Sequence, residues 1–131
     1  MKKGCALLFL LFTGFLNLQA QQGADTAQPK YEMKQYYFVM LTKGENRSQD
    51  SALAAKIQQG HLDNMEKLAK MGKLLVAGPF GDDGPWRGIF IFDCPTQEEV
   101  ERYLKEDPAI QSKRLGYEIH PWWTAKNAVF K

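Results

Sequence analysis

Cysteine and histidine are both scarce in this chain, with two residues of each among 131. Cys5 lies in an N-terminal segment that we expect to be removed, so Cys94 remains as the only thiol and an internal disulfide is excluded. A structural zinc site needs several ligands at close spacing, whereas His61, His120 and Cys94 are widely separated. The sequence therefore predicts no disulfide scaffold, no metal site and no cofactor.

An excess of one charge is also lacking. The 17 Lys and Arg residues face 15 Asp and Glu residues, and the surplus is supplied by Lys2 and Lys3 in the same N-terminal segment. Without a basic stripe, nucleic acids and anionic membrane surfaces are poor candidate partners. The composition, 44% hydrophobic and 24% charged, is that of a globular protein and excludes a disordered or collagen-like chain. The length allows one domain.

The one long apolar run lies at the N-terminus. A short positive start precedes a largely apolar stretch from Cys5 to Leu18, and the small residue Ala20 follows. This layout is typical of a secretory signal peptide, and the run is shorter than the ~20 residues that a membrane-spanning helix needs. We expect a periplasmic or secreted protein with no membrane attachment after signal removal. Its segments are then the signal peptide (1–20), a flexible leader (21–33) and the folded domain (34–131).

Hydrophobic patterning in the folded domain predicts the element order βαββαβ. The strands are expected at residues 34–42, 73–77, 88–92 and 117–123. The helices are expected from Asp50 or Ser51 to about Met71, and from Gln97 to about Glu106, with a short helical turn from Asp107-Pro108 to Ser112. This order is the ferredoxin-like split pattern of an α+β fold, in which helices cover one face of an antiparallel sheet.

The first strand is apolar on both faces, because Tyr36, Phe38 and Met40 alternate with Tyr37, Val39 and Leu41. A sheet face that meets only water should carry polar residues. An uncovered apolar face of this size is a sticky patch on a monomer. We therefore predict a homodimer packed sheet to sheet, with a cleft between helix and sheet in each subunit. The alternative is a small sheet that is merely rich in aromatic residues.

His61 is the most informative polar residue of the first predicted helix. At about 100° per residue it lies in the middle of an apolar arc, which comprises Leu53, Ile57, Leu62, Met65 and Leu68. An unpaired buried imidazole is costly, so the ring must be hydrogen-bonded or line a cavity. It is either a core histidine satisfied by a backbone carbonyl or a functional residue.

Asp107 also has two interpretations. An aspartate before Pro108 is a typical helix N-cap followed by the residue best suited to the first helical position. Alternatively, its carboxylate reaches the His61 ring, fixes the tautomer and stabilises the charged form, as in a catalytic triad. Sequence spacing leaves both open.

The chain resembles the YCII-related (YciI-like) family in the order and spacing of several residues. They are the run from His61 through Leu68, Gly72 and Leu74 to Ala77-Gly78-Pro79, then Gly88, Glu98-Glu99, Asp107-Pro108 and Pro121-Trp122. The resemblance extends over about residues 36–123. It implies a dimeric α+β barrel of ferredoxin-like subunits and an active-site His–Asp pair, which falls on His61 and Asp107.

We therefore expect a small cofactor-independent enzyme of lyase or isomerase type, with neutral His61 as general base and Asp107 orienting its ring. The substrate is a small cyclic or carbonyl-bearing molecule. Gly78, Pro79 and Arg87 are the candidate substrate-binding residues, with Arg87 as an anion clamp. The alternatives are a periplasmic ligand-binding or accessory module without catalysis, and a structural dimer in which the histidine is only a core residue.

Overall fold

A computed structural model describes residues 31–128. The expected signal peptide and most of the expected leader lie outside the described residues. Within the described part, no helix is long and apolar enough to cross a membrane.

Four strands form one antiparallel sheet in the order β2-β3-β1-β4. They are β1 (Met33–Lys43), β2 (Leu74–Pro79), β3 (Trp86–Phe92) and β4 (Leu115–Ala125). The central strand β1 pairs with both β3 and β4, so that Phe38 lies opposite Ile91 on one side and His120 on the other. Each connection and each antiparallel pairing is that of the predicted ferredoxin-like order.

Three helices complete the fold: α1 (Ser51–Lys70), α2 (Gln97–Lys105) and α3 (Pro108–Gln111). The first two begin at side-chain caps, because Asp50 accepts a hydrogen bond from the Leu53 N–H and Thr96 accepts one from the Glu99 N–H. Gly72, which follows the C-cap residue Met71 of α1, has a φ of 69°, a left-handed conformation that glycine adopts without strain. Local sequence chemistry thus sets the ends of the helices.

The core lies between the helices and one face of the sheet. On that face Tyr37, Val39 and Leu41 of β1 are buried, as are Phe90 and Phe92 of β3. The helices contribute the remaining large buried residues, chiefly Leu68, Val100, Tyr103 and Leu104.

The opposite face of the sheet is also apolar, as the alternation in β1 predicts. Tyr36 and Ile91 are buried there, while Phe38, Met40 and Ile89 are half-buried. On β4 the same face carries exposed side chains, namely Glu118, His120 and Trp122. The face therefore has an apolar centre with a polar and aromatic margin.

The structure corrects several predicted boundaries. β2 does not end at Ala77, because Gly78 and Pro79 continue the ladder opposite Ile89 and Gly88 of β3. β3 begins two residues earlier than predicted, and β4 extends by two residues at each end. Strand ends are set by the neighbouring strand as well as by local propensity.

The predicted apolar arc of α1 is wrong at two positions. Leu53 is 47% exposed and Leu62 is 45% exposed, so neither belongs to the core. The buried residues form a narrower stripe, which consists of Ile57, His61, Asn64 and Leu68. The stripe is half polar because it faces a polar contact with α3 as well as the sheet.

Candidate active site

His61 and Asp107 lie in direct contact although 46 positions separate them. His61 Nδ1 is 2.8 Å from Asp107 Oδ2, and the two residues are 8% and 1% exposed. The partner of the buried imidazole is thus a carboxylate rather than the backbone carbonyl that a plain core histidine would use.

Asp107 binds two further donors. Its Oδ1 accepts the Ala109 backbone N–H at 2.8 Å, which caps α3, and its Oδ2 accepts the Asn64 side-chain amide at 3.2 Å. Asp107 therefore both caps α3, through Oδ1, and contacts the His61 ring, through Oδ2. Three donors on one carboxylate also hold its orientation.

The position of α3 depends on a close approach to α1. A Cβ atom on Gly60 would stand 2.9 Å from Pro108 Cγ, closer than side chains ordinarily come. Gly60 lies one residue before His61, and Pro108 one residue after Asp107. The absence of a side chain at Gly60 therefore lets the two elements bring the pair into contact.

The contact with Asp107 defines the tautomer of neutral His61. A carboxylate accepts hydrogen bonds, so the ring hydrogen lies on Nδ1 and the lone pair lies on Nε2. The ring of Phe90 stacks on the imidazole, with centroids 5.9 Å apart and an interplanar angle of 25°. The stacking and the hydrogen bond together restrict rotation of the ring.

A cavity of about 300 Å³ lies beside this pair, and His61 is part of its wall. The three residues predicted to bind substrate, Gly78, Pro79 and Arg87, lie in the same wall. A Cβ on Gly88 would stand 2.5 Å from the Gly78 carbonyl oxygen, so β2 and β3 approach closely here. The volume is at the lower end of the range for small-molecule sites.

Three residues of this site were not predicted from the sequence. Asn64 lies between Leu53 and Ile57 when α1 is projected down its axis, so the same angular count would have placed it beside His61. Arg47 and Arg114 also line the cavity. They lie outside regular elements, in the β1–α1 connection and directly before β4, where no periodicity marks a residue that faces a site.

The arginine side chains give the cavity a positive character. Burial and the nearby charges of Arg114 and Arg87 lower the pKa of the Arg47 guanidinium from its usual value. Arg47 Nη1 donates to the Arg114 backbone carbonyl at 3.0 Å, and Arg87 Nη1 lies 2.9 Å from Asp83 Oδ1. Backbone and side-chain contacts thus hold like charges near one another.

A larger depression, of about 570 Å³, lies near Cys94, but its charged groups are already paired. Lys34 is 2.6 Å from Asp93, and Lys73 is 3.0 Å from Glu99. Burial raises the pKa of the Cys94 thiol to about 11, which keeps it protonated near neutral pH and poorly nucleophilic. In the part of the chain that the structure describes, no group of three His, Cys, Asp or Glu residues is arranged to hold a metal ion.

The βαββαβ order, the antiparallel sheet with helices on one face and the cleft beside α1 define a ferredoxin-like α+β fold, the fold of dimeric α+β barrel proteins. Within that class, the chain belongs to the YCII-related domain family, whose model matches residues 36–123.

The solved structures that share this fold include the following two. One is 5-chloro-2-hydroxyhydroquinone dehydrochlorinase from Burkholderia phenoliruptrix AC1100, in complex with 2,5-dihydroxybenzoquinone. Its sequence is 19% identical, the match covers 66% of this chain and 92% of that chain, and the TM-score is 0.51. The other is muconolactone isomerase, with 14% identity, 73% of this chain and 96% of that chain covered, and a TM-score of 0.57. No sequence among functionally curated proteins matches the chain.

Proposed function

We propose that this protein is a small enzyme of lyase or isomerase type that removes a proton from a small cyclic or carbonyl-bearing substrate. His61 is the general base and Asp107 the positioning residue. The observation that carries the proposal is the buried 2.8 Å contact between His61 Nδ1 and Asp107 Oδ2 at the wall of a cavity.

The proposed step begins with His61 Nε2, whose lone pair takes a proton from a carbon atom next to a carbonyl group. The electron pair of the broken C–H bond moves toward the carbonyl oxygen, and the imidazolium that forms is stabilised by Asp107. In isomerase chemistry the imidazolium returns the proton at another carbon. In lyase chemistry the electron pair expels a leaving group from the adjacent carbon.

The fold relatives support this class of reaction. Dehydrochlorination expels a leaving group, whereas lactone isomerisation moves a double bond, and both are proton-transfer reactions that need no redox cofactor. We extend only the reaction class to this chain.

We further propose that the protein is exported and acts as a homodimer. Export is supported by the positive start and the apolar run of residues 1–20. Dimerisation is supported by the apolar centre of the open sheet face, where Phe38, Met40 and Ile89 remain half-buried in the single chain.

Proton abstraction is testable before the physiological substrate is known. Residues 21–131 are incubated in D₂O with a set of small lactones, cyclic ketones and hydroxylated aromatics, and deuterium incorporation or product formation is followed by NMR and mass spectrometry. We expect activity on at least one compound, reduced by about 10²–10⁴-fold in His61→Gln, the usual contribution of a general base.

Arg102→Gln is the matched control, because Arg102 lies on α2 with a side chain 63% exposed. It should keep the wild-type rate. Equal rates in wild type and a folded His61→Gln variant would contradict the proposal. A compound that raises the melting temperature but is recovered unchanged and undeuterated would instead favour a binding module.

A further inference from the structure

The charge of the cavity points to the class of substrate. Arg47, Arg87 and Arg114 come from three separate segments of the chain and line the same cavity as His61. Concentrating three guanidinium groups around so small a volume is electrostatically unfavourable unless an anion enters. Such an arrangement is expected where a negative ligand binds.

The protein itself neutralises little of this charge. Within residues 31–128, neither Arg47 nor Arg114 lies within ion-pair distance of a carboxylate. Arg114 Nη1 instead donates to the neutral Gln49 amide oxygen at 3.0 Å. Arg87 contacts Asp83, but that carboxylate is 91% exposed, and an ion pair so open to water contributes little.

Apart from Gln58 and His61, the side chains of the remaining wall are apolar. Leu41, Leu62, Met65 and Phe90 face the same volume as the arginine residues. An inorganic anion would leave these side chains against water, whereas an organic molecule would cover them. The combination fits a ligand with an apolar body and one charged end.

We propose that the cavity recognises a small organic carboxylate, whose oxyanion is held by Arg47, Arg87 and Arg114 while its apolar body lies against Phe90. This inference rests on the proposed function in that it uses the same cavity, and it assigns the class of substrate on which His61 acts. The arginine residues are binding residues that fix where the substrate lies relative to the imidazole.

The test compares benzoate with its neutral analogue benzamide and with inorganic phosphate, by calorimetric or NMR titration in a low-chloride buffer. Benzoate should bind at least about tenfold more tightly than either of the other probes, because only benzoate supplies both the charge and the apolar ring. Arg47→Gln and Arg87→Gln should each weaken benzoate by about tenfold, whereas Arg102→Gln should not change its affinity.

Arg87→Gln guards against a folding artefact, because among the described residues Arg87 has a side-chain hydrogen bond only to the exposed Asp83. Asp83→Asn should change the benzoate affinity in the opposite direction. It removes a carboxylate that competes for Arg87 and should tighten benzoate binding by about twofold. Equal affinity for benzoate and benzamide, tighter binding of phosphate, no benzoate binding at about 10 mM, or unchanged affinity in both arginine variants would overturn the proposal.

Binding does not require turnover, so this test is independent of the role of His61. Benzoate binding that persists in His61→Gln and is lost in Arg47→Gln would support the carboxylate site even if His61 were not a base. Conversely, His61-dependent deuterium exchange on neutral substrates alone, without benzoate binding, would overturn the carboxylate site and leave the general-base proposal standing.

Discussion

Asp107 caps a helix with one oxygen and holds His61 with the other. Oδ1 accepts the Ala109 backbone N–H, whereas Oδ2 lies 2.8 Å from His61 Nδ1. The first contact stabilises the start of α3, and the second determines which nitrogen of the neutral imidazole carries the hydrogen. Substitutions that preserve one contact and change the other therefore separate stability from function.

Asp107→Asn should preserve the cap and impair the base. Asparagine caps helices about as well as aspartate, so the melting temperature should fall only slightly. Its side-chain amide would donate a hydrogen bond to His61 Nδ1. This favours the His61 tautomer with hydrogen on Nε2, in which Nε2 has no lone pair to accept a proton. On a substrate found by the deuterium screen, kcat should fall by about 10³–10⁴-fold, as in triads with the same substitution.

Asp107→Ala is the comparison, because it removes both contacts. It leaves the Ala109 N–H without its cap and Asn64 without its acceptor, so it should lose about 1–3 kcal/mol of stability in chemical denaturation. An Asp107→Asn variant that is as active as wild type would show that the carboxylate serves only the fold.

At this scale, the sequence identified some residues of the site and missed others. His61 was recognisable because a titratable ring within an apolar arc demands a partner. Asn64 lies in the same stripe, but it was not predicted as a site residue because an asparagine in a helix is ordinarily exposed at the surface. No local sequence pattern marks Arg47 or Arg114 as a site residue. Their positions at the cavity depend on the tertiary fold, in which the chain returns through α3 into β4.

The contact between α1 and α3 is the structural element on which the site depends. Gly60 of α1 faces the Pro108 ring at the start of α3, and a Cβ there would approach Pro108 Cγ to 2.9 Å. Because His61 and Asp107 are the chain neighbours of these two residues, separating the helices also separates the pair.

Gly60→Ala should therefore fail to stabilise the protein. In an ordinary helix interior this substitution gains about 1 kcal/mol, but here the new methyl group must displace Pro108 at a cost of about 1–3 kcal/mol. We expect a net loss of stability in urea unfolding and altered His61 ring chemical shifts.

Two variants serve as controls for this prediction. Ala55→Gly, at an exposed position of the same helix, measures the intrinsic Ala–Gly difference. Pro108→Ala combined with Gly60→Ala should recover stability, giving a coupling energy of about 1 kcal/mol in a double-mutant cycle. A gain in Gly60→Ala equal to the loss in Ala55→Gly would mean that the close approach imposes no constraint.

Elements themselves were well predicted wherever their signals are local. α1 begins at Ser51 and α2 begins at Gln97, as the sequence predicts. The end of β2 was wrong because a Gly-Pro pair ordinarily terminates a strand, whereas here Gly78 and Pro79 pair with β3. The start of β3 was wrong because Trp86, before the predicted start, pairs with Thr42 of β1. Strand pairing depends on residues that are distant in the sequence, so local strand propensity does not predict it.

At the scale of the whole molecule, the main feature that the sequence determines is a sheet with apolar residues on both faces. The element order was sufficient to predict the fold class, and the alternation in β1 was sufficient to predict the apolar open face. The sequence does not specify what covers that face, because a bare face and a dimer interface have the same periodicity.

Phe38→Glu should disrupt the proposed dimer. The wild-type protein should sediment at twice the mass of the chain, and a charge at the centre of the open face should shift it to the monomer, because burying an unpaired carboxylate is costly. Leu53→Glu, on the exposed side of α1, is the control and should remain dimeric. A wild-type monomer at micromolar concentration would contradict the assembly.

The central claim is that Asp107 fixes His61 with its Nε2 lone pair directed to a substrate, and the tautomer of His61 tests it most directly. Long-range ¹H–¹⁵N NMR on the neutral ring, assigned with the help of a His120→Gln variant, reports which nitrogen carries hydrogen. The account predicts hydrogen on Nδ1 in the wild type and a shift toward Nε2 in Asp107→Asn. A wild-type ring with hydrogen on Nε2, or no change in Asp107→Asn, would contradict it.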